Sequence, residues 1–312
     1  MNPLQLNLLA HTWWRFTNKK QYRLYKQQMY QEKIDKFLTE NKVLTFEEIK
    51  QLADNTGKLN FLHTGNAGDI IYALPVIKKL HELVDVPLNL ILKLNEPLRL
   101  AKGMTHPLNN VMLNTATANF LKPLLVAQPY ISSYDIFTNQ VIDINLSLFR
   151  KAGIRQDRGN IARWNFYTTG ITANLSEKWL FVDADKNYSD TIVVARSQRY
   201  NNPVIDYSFL NNYSNTAFIG VKSEYEAMKK LVPNIRWVQV ADFLEMARII
   251  AGAKFFIGNQ SFPFSIAEAL KVPRILEAYH AAPNVVVEGA DGYDFYFQNH
   301  FESVVKQLNS RQ

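Results

Sequence analysis

The chain has 312 residues, 47% of them hydrophobic and 20% charged, so it is a globular protein with room for two ordinary domains, not a disordered one. It contains no cysteine, which excludes disulfides, thiolate metal sites and cysteine nucleophiles and fits a reducing compartment. The net charge of +7 favours anionic partners, among which nucleotides, phospholipid surfaces and nucleic acid all qualify.

Residues 1–57 differ from the rest. No acid precedes Glu32, whereas Arg15, Lys19, Lys20, Arg23 and Lys26 are interleaved with Trp13, Trp14, Phe16, Tyr22 and Tyr25. Tyr30, Ile34, Phe37 and Leu38 continue at helical spacing. Thr45-Phe46-Glu47-Glu48 is a capping-box pattern that opens a further helix carrying Ile49 and Leu52, and Gly57 ends it. This part is expected to be a helical N-terminal extension. Its start has neither a basic n-region nor a continuous apolar h-region, so it makes a poor signal peptide, and no run of about 18 apolar residues reads as a membrane span.

From Leu59 strands and helices alternate. Leu59 to His63 reads as a strand, Asp69 to Val84 as a helix, Leu88 to Leu94 as a strand and Gln140 to Asn145 as another. The stretch from Glu96 to Tyr134 is broken by Pro97, Pro107, Pro123 and Pro129, and Ile161 to Gly170 reads equally as helix or loop. A polar linker is expected at Asp183–Asp190. Beyond it the series resumes, with strands at Thr191–Ala195, Ala217–Val221, Arg236–Val240, Phe255–Ile257 and Arg274–Leu276 and helices at Ser223–Leu231, Asp242–Ala251 and Pro263–Leu270. The expected fold class is therefore α/β, with two Rossmann-like doubly wound parallel sheets facing a cleft. The expected division is 1–57 extension, 58–186 N-terminal domain and 187–312 C-terminal domain.

Three motifs carry chemistry. Gly65-Asn66-Ala67-Gly68-Asp69 links the first strand to its helix; it has neither dinucleotide-fingerprint spacing nor a P-loop lysine, and Asp69 could simply cap the helix. Gly258-Asn259-Gln260-Ser261, followed by Pro263, turns a buried strand sharply into a helix and aims backbone N–H groups and a positive dipole end at one point, a ready anion site; the alternative is a plain buried corner capped by Ser261. Arg196 and Arg199 follow the first strand of the second series, where arginines can clamp a diphosphate or be solvated. The six histidines show no metal-ligand spacing, so no metal site and no cofactor beyond a nucleotide-sugar co-substrate is expected.

Gly-Asp-Ile-Ile-Tyr-Ala-Leu-Pro (Gly68 to Pro75), followed far downstream by the block Ala247 to Ser261, resembles the family 9 glycosyltransferases, heptosyltransferase-like enzymes of the GT-B fold. The resemblance implies that Asp69 is the general base and that the block ending in Gly258, Asn259, Gln260 and Ser261 binds the donor diphosphate. Asn66 and Gly68 are expected to border the cleft, and Arg196 or Arg199, placed after a strand, to supply positive charge to the nucleotide sugar. The second block departs from the family pattern Asp-Ser/Thr-Gly-x-x-His: here it reads Gln260-Ser261-Phe262-Pro263-Phe264-Ser265, and only the serine carries over. Glu268 and Glu277 miss the Glu-x7-Glu spacing of retaining transferases by one residue, which disfavours retention. The implied activity is inverting, metal-independent transfer of a sugar from a nucleotide-diphosphate donor to a glycan or lipid-linked acceptor. The rivals are a sugar-nucleotide epimerase or hydrolase and a non-catalytic binding protein of the same fold. A cytoplasmic location and no nucleic-acid partner are expected. The basic, aromatic N-terminus reads either as a peripheral contact to an anionic membrane or as aromatics packed onto the first sheet domain with the basic residues as its solvated face. Acceptor specificity is expected in the loops from Glu96 to Gly170.

Overall fold

The computed structural model describes residues 3–98, 108 and 110–311, with only the backbone of 3–9. His106, Pro107 and part of the expected acceptor loops lie outside the described residues.

Three helices come first: α1 (Pro3–Thr17), α2 (Lys19–Glu40) and α3 (Phe46–Thr56). Asn18 caps α2 by accepting from Gln21 N–H at 3.0 Å. The capping box at α3 is formed, with Glu48 accepting from Thr45 N–H at 2.9 Å, and Gly57 ends the helix at φ 66°.

The first sheet contains β1 (Leu59–His63), β2 (Leu88–Leu92), β3 (Ser133–Ile136) and β4 (Ile144–Asn145), all parallel, in the order β3-β2-β1-β4. Helix α4 (Ala67–His81) follows β1, α5 (Thr115–Val126) precedes β3, and a short α6 (Ile161–Trp164) follows β4. The second sheet is also parallel. Its strands β5 (Ile192–Ala195), β6 (Thr216–Ile219), β7 (Arg236–Val238), β8 (Phe255–Asn259), β9 (Arg274–Glu277) and β10 (Gly292–Phe295) lie in the order β10-β9-β8-β5-β6-β7. Helices α7 (Lys222–Leu231), α8 (Phe243–Gly252), α9 (Phe262–Leu270) and α10 (Gln298–Asn309) cover it.

These strands are continuous apolar runs because both faces are covered. In β5, Ile192 and Val194 join a core shared with Phe301 and Val305 of α10, while Val193 and Ala195 point into a larger core on the other face, as the two-residue period of a strand requires. That larger core is common to both sheets: it runs from Phe61 and Ile70 to Phe256 and Phe264. The Trp179 side chain ties the two halves, donating from Nε1 to Ile71 O at 3.1 Å while its backbone N–H donates to Ala269 O at 3.0 Å.

Several boundaries differ from the sequence reading. The expected strand Gln140–Asn145 contracts to two residues, α5, β3, β10 and α10 were not anticipated, and Pro263 is the second helical residue of α9, not the first. The segment expected as a polar linker is largely exposed but anchored at Asp185, whose N–H donates to Arg248 O at 2.9 Å and whose backbone lies against Gly252 at the end of α8.

A β-carbon on Gly252 would lie 1.9 Å from Asp185 O. Alanine gains up to about 1 kcal/mol of helix propensity over glycine. The clash forces backbone movement that costs about 1–3 kcal/mol or more and wins. Gly252→Ala is therefore expected to lower stability by about 2 kcal/mol in denaturant unfolding; an unchanged or raised midpoint would show that the crossing segment is free to move.

Candidate active site

In an open parallel sheet, the crevice lies beyond the carboxyl ends of the strands, where the order reverses. The first sheet reverses between β1 and β4, the second between β5 and β8. The loops after all four strands converge: Asn66, Gly68, Asp69 and Tyr72 line one side of a cavity of about 860 Å³, and Arg196, Arg199, Gln260 and Ser261 line the other.

On the first side, Asp69 stands in the opening turn of α4, where its carboxylate accepts from Asn66 N–H at 3.0 Å and Asn66 Nδ2 at 3.1 Å. The same oxygen accepts from Nη2 of Arg150, which ends the 3-10 turn after β4. Burial pushes the Asp69 carboxyl up, but the Arg150 charge, His63 and the Asn66 hydrogen bonds outweigh it and leave the group below its ordinary value. Because it titrates lower folded than unfolded, the pair stabilises the protein above the ordinary Asp range and loses that contribution as pH falls through the folded value. Asp69 is thus an ionised carboxylate held by a cation, a placement that goes beyond a helix cap.

His63 beneath it is fully buried, and burial drives its imidazole down to about 3, so it is neutral. Its Nδ1 accepts from Gly65 N–H at 3.0 Å. A β-carbon on Gly65 would come within 2.7 Å of both Arg150 Nη2 and His63 Cε1, so this glycine makes room for the ion pair. Four polar atoms of the cluster are buried without a partner: His63 Nε2, Asn66 Oδ1, the Tyr72 hydroxyl and Arg150 Nε. Each unmet group costs about 1–3 kcal/mol, and of the four residues Asn66 and Tyr72 line the cavity, so a polar ligand that satisfies either is favoured here.

The second side requires corrections. Gly258 and Asn259 are the buried end of β8 and do not line the cavity. A β-carbon on Gly258 would meet the Phe256 ring at 2.7 Å, and the Asn259 side chain donates to Ser197 O at 2.7 Å while accepting from Ser197 N–H at 2.9 Å. Both residues shape the loop from behind. Gln260 is mostly engaged with its own surroundings, donating to Ala282 O at 2.8 Å and accepting from Tyr279 N–H at 3.0 Å. Ser261 is the N-cap of α9 but makes no side-chain cap. Phe264 and Ser265 N–H both donate to Ser261 O, at 3.1 and 3.3 Å, and Pro263 has no N–H. Among the first four helical positions, the Phe262 N–H is left over for an anion.

Arg196 is committed elsewhere. Its Nε and Nη2 donate to Glu277 at 2.7 and 2.8 Å, and its guanidinium lies 4.5 Å from the Tyr207 ring. Glu277 is fully buried and also accepts from Tyr207 Oη at 2.8 Å and from Asn202 N–H. Arg199 makes no ion pair among the described residues; it lies over the Tyr200 ring at 4.5 Å and lines the cavity. Glu268, the other acid of the Glu-x8-Glu pair, is buried against Arg274 (2.5 Å) and Lys271. Neither glutamate reaches the cavity.

Sequence reading missed Arg150 and Glu224. Glu224 opens α7 after β6 and lines the cavity; burial raises its carboxyl to about 7 against backbone hydrogen bonds at Val221 and Gln198 and the Arg199 charge. An acid in the first turn of a helix reads as an ordinary cap, and Arg150 follows a strand too short to register. Trp237, Val238, Val240 and Met246 give the cavity an apolar end. Among the described residues no group of His, Asp and Glu is placed to hold a metal ion.

No family model matches the sequence, and no curated protein matches it. Solved structures match the fold. A family 9 glycosyl transferase from Veillonella parvula is 12% identical at a TM-score of 0.50, covering 82% of this chain and 90% of its own. The Escherichia coli ADP-heptose lipopolysaccharide heptosyltransferase II is 9% identical at a TM-score of 0.53, covering 81% of this chain and 98% of its own. The chain has the fold of the family 9 glycosyltransferases, two parallel-sheet α/β halves of GT-B type.

The two arginines should separate in a stability measurement. Arg196→Ala strands the buried Glu277 charge and is expected to cost about 3–5 kcal/mol in denaturant unfolding, whereas Arg199→Ala, removing no ion pair, is expected to stay within about 0.5 kcal/mol of the parent. Equal effects would contradict the division into a structural and a free arginine.

Proposed function

We propose that this chain is an inverting, metal-independent glycosyltransferase that moves a sugar from a nucleotide-diphosphate donor to a glycan or lipid-linked acceptor. The observation that carries the reading is that both sheet switch points open onto one cavity, with a free cation on one wall and an ionised carboxylate on the other. The base of the donor fits the apolar end at Trp237 and Val238. Its ribose hydroxyls donate to Glu224, as ribose hydroxyls do to acids at such sheet edges. The diphosphate rests between Arg199 and the Phe262 N–H at the start of α9, with the Ser261 hydroxyl beside it.

In the transfer step, the acceptor hydroxyl gives its proton to Asp69 as its oxygen bonds to the anomeric carbon. The bond from that carbon to the diphosphate breaks on the opposite face, and the leaving charge is taken up by Arg199 and the α9 dipole. We assign residues 58–186 to the acceptor side, 187–312 to the donor side and 1–57 to a helical extension, and place the protein in the cytoplasm. The Escherichia coli protein of the same fold acts on ADP-heptose by name, so ADP-linked sugars are the first donors to try.

A second reading, a nucleotide-sugar-binding protein without turnover, is favoured by the Asp69–Arg150 pair, because a carboxylate held below its ordinary value is a weak base. Kinetics distinguish the two. With a working donor and acceptor, Asp69→Asn is expected to lower kcat by about 10²–10⁴-fold with nucleotide affinity unchanged.

Arg150→Gln removes the largest of the influences that lower Asp69, leaving only the lesser ones, the Asn66 hydrogen bonds among them, against burial. The carboxyl therefore rises, and the acid limb of the kcat pH profile moves to higher pH than in the parent. Any transition from Glu224, near 7, would appear in both proteins. A profile unchanged by Arg150→Gln, or an Asp69→Asn protein of full activity, would remove Asp69 as the base; diphosphate binding with no transfer to any acceptor would favour the binding protein.

A further inference from the structure

The α1–α2 hairpin carries charge and apolar surface that the rest of the molecule does not use. Its two helices are joined along an inner seam of rings: His11 lies 5.3 Å from Tyr22 and 4.9 Å from Tyr25, and Trp14 lies 6.2 Å from Tyr25. The seam leaves Trp13 68% and Phe16 78% exposed, with Leu24 and Met29 about half exposed beside them on α2. Arg15, Lys19, Lys20, Arg23 and Lys26 are exposed and make no ion pair among the described residues, and no acid lies between Ala10 and Gln31. Among the described residues the far end of α2 is the seated part: Phe37 is buried, and a β-carbon on Gly153 would meet Ile34 Cδ1 at 3.2 Å and Tyr30 Cε2 at 3.6 Å.

We infer that this hairpin is a docking surface for an anionic bilayer. Exposed aromatic and aliphatic side chains amid unpaired lysine and arginine fit the plane between headgroups and acyl chains, where rings enter the interface and cations meet lipid phosphates. A second copy of the hairpin is a poor occupant, since a two-fold contact sets like charge against like. No helix of the described residues is long and apolar enough to cross a membrane, so the contact is peripheral.

The position of the hairpin gives the contact a consequence. Its seat at Gly153 is three residues from Arg150, on the Asp69 side of the cavity. Arg23 and Ile34 are separated along α2 by roughly 16 Å at 1.5 Å per residue. A bilayer held by the basic turn therefore meets the half of the molecule that carries Asp69, and the acceptor suited to that placement is one carried on a lipid headgroup. That last step rests on the proposed function; the membrane contact does not.

Co-sedimentation of the full chain with vesicles tests it, using phosphatidylglycerol mixed into phosphatidylcholine and phosphatidylcholine alone. The chain is expected to bind the anionic vesicles and not the neutral ones, at least about tenfold more weakly when salt rises from about 50 to 500 mM. The triple variant Lys19→Glu, Lys20→Glu, Arg23→Glu is expected to lose binding. Trp13→Ala with Phe16→Ala should weaken it several-fold at constant charge, and both proteins should keep the parent's helical circular dichroism and nucleotide-diphosphate affinity. No sedimentation of the parent, equal binding to neutral vesicles, variants that bind like the parent, or displacement by a short RNA at lower concentration than by anionic lipid would each overturn the inference. Vesicle binding by a chain that takes no nucleotide diphosphate would leave the inference standing and remove the function proposed for the cavity.

Discussion

Helix α4 meets helix α9 start to start, and the rest of the site depends on that contact. A β-carbon on Gly68 would come within 3.8 Å of both Phe262 Cα and Ser265 Oγ, so the first turns of the two helices are neighbours across the shared core. Each helix follows a strand that borders a sheet's switch point, and each turns its positive dipole end toward the same cavity. The two ends are then treated differently. Asp69 occupies the start of α4 and neutralises it, while α9 opens with Phe262 and Pro263, has no acid in its first turn and leaves Ser261 uncapped. Electrostatics therefore send an incoming anion to α9 and keep a negative group at α4, a division of labour suited to holding a diphosphate on one wall and deprotonating a hydroxyl at the other.

Buried ion pairs make that arrangement rigid. Glu277 receives Arg196, Asn202 N–H and Tyr207 Oη, which pins the loop that presents Arg199. Glu268 receives Lys271 and Arg274 behind α9. Removing either partner of such a pair is costly, because the other is left charged and dry. The price is that four of the basic residues in this half are spent on structure or packing, so Arg199 is the cation that the loop offers to a ligand.

The strand–helix rhythm was legible because buried parallel strands write themselves as apolar runs between glycines and polar breaks. Leu59–His63 is bounded to the residue, and Asp69, Arg199 and Ser261, which stand at the ends of such runs, line the cavity. What was not legible depends on contacts distant in sequence. Arg196 looked like a phosphate clamp because its partner Glu277 is 81 residues away. Gly258 and Asn259 looked like ligand contacts because a strand that continues two residues further is indistinguishable, in one dimension, from a loop that begins. Arg150 follows a two-residue strand with no periodicity to detect, and Pro123 inside α5 disguised that helix as a break.

The central claim is that one cavity binds a nucleoside diphosphate across the second sheet's switch point and faces it with Asp69. A crystal structure of the full chain with a bound nucleoside diphosphate tests this most directly. The account places the diphosphate oxygens within about 3 Å of the Phe262 N–H and the Arg199 guanidinium, with the base against Trp237 and the Asp69 carboxylate across the open space from the terminal phosphate. A nucleotide bound with its phosphates on the Asn66–Asp69 wall, or outside this cavity altogether, would contradict it.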